Sequence, residues 1–188
     1  MSVRIGVLME NSDLSEGLEN AFTSWASESS PPTTCDDAIA KLKKTKFTAQ
    51  FTDAEDLNYR QAVQRALDAG LKKLTSYPET DTQQKWTDFW AEPDGANLAH
   101  LLSSKSTRVG CAIGTCVPQT QEYRTSQTSA KFLFCEMKPA AEENKAPFDK
   151  EYYEALTERK TPLTAMTEED LKAPVQGAAA AAVPSLGS

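Results

Sequence analysis

The chain of 188 residues has a single histidine, His100. It has no C-x-x-C or H-x-x-H pair, which excludes a zinc site of the common Cys/His spacing. It also has no G-x-S-x-G elbow and no glycine-rich phosphate loop, so nothing local positions a nucleophile or cradles a nucleotide. A Ser-His-Asp triad would have to use His100, whose neighbours Leu98, Leu101 and Leu102 are those of a packing residue. A non-enzymatic protein without a cofactor is therefore expected. Basic surplus is missing as well: 20 Lys and Arg face 27 Asp and Glu, for a net charge of -7. With an isoelectric point near 4.9 and dispersed basic residues, a nucleic-acid partner is excluded, because phosphate binding draws its affinity from clustered cations. No run approaches the roughly 20 apolar residues that span a bilayer. Residues 1–9 carry one positive charge and too short an apolar run for a leader, so a secreted form is expected to be a processed one. No N-x-S/T sequon occurs, and no N-linked glycan is expected.

What is present fits one globular domain with polar extensions. The apolar fraction is 39% and the mean hydropathy -0.51. Three of the four cysteines lie in residues 107–138, which also hold the two clearest strand candidates, residues 108–114 and 131–138. Both are short β-branched, aromatic and aliphatic runs bounded by turn-forming residues. In the second, Phe132, Phe134 and Glu136 alternate with Leu133, Cys135 and Met137, so both faces of its first half are apolar and a central, doubly covered strand is predicted. Cysteines in neighbouring strands bridge when their Cβ atoms face each other, which favours Cys111 with Cys135. Cys116 is then left, by elimination, for Cys35. Two structural disulfides imply an oxidising compartment.

Around this centre the chain reads as follows. Residues 3–9 alternate as a strand suited to a sheet edge. Leu14, Leu18, Phe22 and Trp25 mark a short amphipathic helix within residues 10–28, broken by Pro31 and Pro32. Thr34 is placed to cap a helix with Asp36 and Asp37 in its first turn and Lys41, Lys43 and Lys44 in its last. Thr52 and Glu55 resemble a capping box opening a helix that runs to about Leu74, with Leu57, Val63, Leu67, Leu71 and Leu74 on one face and Gly70 as an interruption. Trp86, Phe89 and Trp90 fall together at helical spacing. They make either a core stripe, the commoner use of such a pattern, or a candidate ligand groove. Residues 92–95 read as a turn and residues 97–102 as a short helix. Residues 139–147 form a polar loop; residues 148–160 supply a turn or two of helix anchored by Phe148, Tyr152, Tyr153 and Leu156. Three regions follow: residues 1–33 as strand, helix and linker, 34–160 as the main domain, and 161–188 as a disordered tail. The small residues near the end resemble the spacer of a lipid-attachment signal, although a bare tether explains them as well.

The stretch from Asn97 through Val109-Gly110-Cys111-Ala112 to Cys116, followed by Cys135, resembles the core signature of the CAP superfamily of cysteine-rich secretory, antigen 5 and pathogenesis-related proteins. Within that superfamily the acidic, divergent character is most similar to the surface antigens of Eimeria, which are GPI-anchored. The resemblance covers roughly residues 34–138 and implies an α+β fold, a CAP-like α-β-α sandwich with a small antiparallel sheet between helices. Two departures stand out. Asn97 occupies the position of the superfamily's metal-linked histidine, and His100 falls where glutamine is usual. The metal tetrad of two histidines and two acidic residues therefore cannot be assembled, and no metal is expected. The resemblance implies a membrane-tethered, GPI-anchored antigen on the cell surface, presenting loops to a host-cell or immune receptor, monomeric in its soluble form. The alternative it leaves open is a secreted lipid or sterol carrier using Trp86, Phe89 and Trp90.

Overall fold

A computed structural model describes residues 4–9, 34–52, 56–119 and 130–167. Its class is α+β. The expected helix within residues 10–28 lies outside the described residues.

The sheet is built from β1 (Arg4–Met9), β2 (Phe47–Gln50), β3 (Arg108–Gln119) and β4 (Ala130–Lys138), in the order β1-β3-β4-β2 and antiparallel throughout. The β3–β4 ladder puts Cys111 opposite Cys135 and Ala112 opposite Phe134. As the alternating apolar pattern implies, β4 lies inside the sheet, with Phe132, Phe134 and Cys135 no more than 3% exposed. The first segment, β1, does take an edge. The other edge, β2, has no counterpart in the sequence reading, since four residues are too few to establish a period.

Helices cover both faces. On one, α1 (Cys35–Thr45) packs Ala38, Ile39 and Leu42 against Phe132, Phe134 and Cys116. Thr34 caps α1 as predicted, accepting from the Asp37 backbone N–H at 3.1 Å. On the other face, α2 (Tyr59–Leu71) lays Ala62 and Ala66 against Phe47, Ala49, Leu133 and Cys135. A third layer of α3 (Thr82–Ala91), α4 (Pro93–Leu102) and α5 (Lys150–Glu158) closes the end of the sandwich around Trp86, Phe89, Trp90 and Phe148.

Three boundaries differ from the sequence reading. The Thr52/Glu55 box does not open α2; Asn58 does, its side chain accepting from the Gln61 N–H at 3.0 Å. Pro93, expected in a turn, is the first residue of α4, where a missing N–H costs nothing. Residues 161–167, which the sequence reading places in the tail, contact α2. A 3-10 turn at Leu163–Ala165 is held on α2, where the Leu163 N–H donates to Gln64 Oε1 at 2.7 Å and Arg60 donates to the Met166 carbonyl at 2.8 Å.

Gly70 is more than an interruption. A Cβ there would stand 2.5 Å from Leu98 Cβ and 2.8 Å from the Asp94 carbonyl, so the glycine sets how closely α2 and α4 approach. Gly70→Ala gains helix propensity, about 1 kcal/mol, yet overpacks a contact made by backbone and a Cβ that cannot swing aside. The expected result is a net loss of about 1–2 kcal/mol in urea unfolding, and a stabilised variant would contradict this close approach.

Candidate functional site

The helix that matters is α4, an apolar segment carrying two buried polar side chains, Asn97 at 0% and His100 at 7% exposure. In an antiparallel pair, alternate residues of an edge strand turn their N–H and C=O away from the neighbour and need another partner. Thr48 of β2 is such a residue. Its N–H donates to Asn97 Oδ1 at 2.7 Å, and Asn97 Nδ2 donates to its carbonyl at 2.9 Å. The side-chain amide therefore stands in for a fifth strand at one position. A primary amide offers a donor and an acceptor side by side, and an imidazole cannot present both to one peptide unit. Asn97 is a sheet-edge cap.

His100 is bound elsewhere. Its Nε2 lies 3.1 Å from the carbonyl oxygen of Lys44, in the last turn of α1, and since a carbonyl only accepts, Nε2 carries the proton. The ring also stands edge-on to Trp90, with centroids 5.1 Å apart. His100 thus satisfies one of the orphan carbonyls at a helix C-terminus. Among the described residues no group of three His, Cys, Asp or Glu side chains is placed to hold a metal ion.

Burial pushes the His100 pKa below its ordinary 6.5, and the hydrogen bond to Lys44 opposes this with the smaller effect. Glu143 and Lys46, the nearby charges, act in opposite directions. The sign for stability follows. The unfolded chain takes up a proton first, so the full contribution is present above about pH 6.5 and is lost as pH falls from there through the folded-state value. The slope is at most about 1.4 kcal/mol per pH unit. His100→Gln, which retains an N–H donor for Lys44, should flatten the urea-stability curve between about pH 7 and pH 5; superimposable curves would refute the assignment. Carboxylates respond at more acidic pH. Glu136 is lowered by its hydrogen bond from Lys46, and the exposed Glu142 is held down to about 2 by hydrogen bonds from Lys105 and Lys145.

The candidate ligand groove becomes core. Trp86, Phe89 and Trp90 are 4–6% exposed and packed among Leu67, Leu74, Leu98 and Phe148. Trp86 meets Phe89 and Phe148 edge-on at 5.6 and 6.1 Å, and the Trp90 indole N–H donates to the Lys145 carbonyl at 2.8 Å. Rings packed and hydrogen-bonded in this way are a core stripe, the first of the two uses the spacing allows. An open cleft of about 460 Å³ lies elsewhere, between α2 and the end of α5, lined by Leu67, Leu71 and Leu156 together with Arg159 and Lys160. The sequence carried no signal for it, because its walls come from segments distant in the chain.

All four cysteines are paired. Cys111–Cys135 joins β3 to β4 with Cα atoms 4.1 Å apart, and Cys35–Cys116 joins the start of α1 to β3 at 5.7 Å. No helix among the described residues is long and apolar enough to cross a membrane. Among solved structures the chain is similar to that of the Eimeria tenella surface antigen protein SAG19, with 21% identity and a TM-score of 0.45 over 73% of this chain and 71% of that one. No protein-family model and no curated protein matches it.

Proposed function

We propose that the chain is a non-enzymatic surface antigen, held at the outer face of a membrane by a lipid anchor and presenting its loops to a host-cell or immune receptor. The observation that carries this reading is the complete pairing of the cysteines, since disulfides persist in extracellular and secretory compartments and not in a reducing cytosol. The V-G-C-A-x4-C resemblance supports it. So does the use of Asn97 and His100, both engaged with backbone groups in the interior. The burial of Trp86, Phe89 and Trp90 takes away the groove on which the lipid-carrier alternative depended.

The test is localisation. Antibodies to the folded domain should stain intact, unpermeabilised cells, and a phospholipase that cleaves glycosylphosphatidylinositol should release the stain. Staining seen only after permeabilisation would sink the reading. Surface stain that the phospholipase leaves in place would retain the antigen and remove the lipid anchor.

A further inference from the structure

Adjacent basic residues occur three times in the chain, as Lys43 with Lys44, Lys72 with Lys73 and Arg159 with Lys160. The first pair lies inside α1. The second sits in the hydrogen-bonded turn ending α2, where the N–H groups of Lys72, Lys73 and Leu74 donate to Asp68, Gly70 and Leu71. The third is different. Arg159 is the C-cap of α5 with extended backbone, φ -64° and ψ 122°, and Pro162 is extended too, at φ -70° and ψ 157°. Every residue from 158 to 162 is exposed. The Arg159 side chain is tied to the Thr161 carbonyl and to Met166 Sδ, while the Lys160 ammonium has no partner among the described residues.

Proteases bind their substrates as extended strands, so a helical bond must first unfold locally while an extended, exposed one needs little opening. We propose that the Lys160–Thr161 peptide bond is a processing site for a trypsin-like protease, whose acidic specificity pocket takes the free Lys160 side chain. Thr161 on the leaving side has an ordinary amide nitrogen, unlike the bond after Lys138, which proline follows. Water adds across the bond, leaving a carboxylate on Lys160 and an ammonium on Thr161; no cofactor or redox partner is consumed.

The position of the cut gives it a consequence. All four cysteines precede it, so both disulfides and the three helix layers stay with the larger product. Residues 161–188 separate, because the contacts of Leu163 and Met166 with α2 become intermolecular once the chain is cut and lose their effective concentration. If the protein is tethered through its C-terminal side, cleavage sheds the antigen domain. That consequence rests on the function proposed above, whereas the cleavage does not.

The experiment is limited digestion of the native full chain with trypsin at a low enzyme ratio, followed by intact mass. The bond after Lys160, or after Arg159 in the same exposed stretch, should be cut at least about tenfold faster than the bond after any other Lys or Arg among the described residues, as expected when cleavage tracks local opening. In the Arg159→Gln/Lys160→Gln variant the retained fragment should extend past Thr167. Early cutting within α1, at the end of α2 or after Lys105, with the bond after Lys160 still intact, would overturn the proposal. Equal loss of residues 161–167 from the double variant would overturn it as well. A failure here leaves surface localisation untouched, and a failure of localisation leaves the digestion result standing.

Discussion

Replacing Asn97 with alanine is expected to lower the unfolding free energy by about 2–5 kcal/mol, since it leaves the buried N–H and C=O of Thr48 unsatisfied at about 1–3 kcal/mol each. Asn97 and Thr48 are both 0% exposed, so water cannot take the vacated places without a rearrangement of α4 against β2. Asn97→Asp should be at least as damaging at neutral pH. A carboxylate still accepts from the Thr48 N–H but turns an acceptor toward the Thr48 carbonyl and buries a charge at a 0% exposed position. The measurement is urea unfolding of all three proteins. If Asn97→Ala fell within about 0.5 kcal/mol of the parent, the range of ordinary surface changes, the edge-cap assignment would be wrong.

The second large effect concerns the disulfides, and it is a difference between them. Cys35 and Cys116 are 81 residues apart in sequence, so their bond removes chain entropy from the unfolded state worth about 4.5 kcal/mol. Cys111 and Cys135 are 24 apart, which the same relation values at about 3.5 kcal/mol. Packing widens the gap. Cys35 and Cys116 sit in the core between α1 and the sheet, whereas Cys111 is exposed and its strand remains paired to β4 by the backbone ladder. Cys35→Ala/Cys116→Ala should therefore unfold at distinctly lower urea than Cys111→Ala/Cys135→Ala. Equal midpoints, or the reverse order, would mean that strand pairing and not the α1 contact is what the cross-links protect.

Legibility in the sequence followed the range of the interaction. The cap of α1 was readable because Thr34 and Asp37 are three residues apart, and β4 because a run apolar on both faces has few places to go except the middle of a sheet. The α2 start was misread for an instructive reason. Thr52 with Glu55 and Asn58 with Gln61 are both acceptable openings by local chemistry, and the helix uses the second, where Asn58 accepts from the Gln61 N–H. The large leucines looked like the buried stripe of that helix. They are: Leu67 and Leu74 are buried and Leu57, Val63 and Leu71 pack against the core, while Ala62, Ala66 and Gly70 add a second line of close contacts that the leucine pattern did not announce.

The candidate site divides the same way. An asparagine inside Ala96, Leu98 and Ala99 is a visible anomaly, a polar side chain on an apolar helix, but its partner lies 49 residues away in a strand too short to recognise. The aromatic triplet was visible too, with core and groove both open until the third layer closed over it.

By itself, the sequence determined the central strand, the α1 cap set by a near neighbour and the presence of four pairable cysteines. All of these depend on spacing along the chain or on composition. Only the tertiary structure decided that Asn97 is a strand-edge cap, that His100 holds a helix end, that Trp86, Phe89 and Trp90 are core, and that residues 161–167 belong to the folded body. Each of these is a contact between segments far apart in the chain, and what a side chain does there is set by which unsatisfied backbone group or apolar surface the fold brings against it.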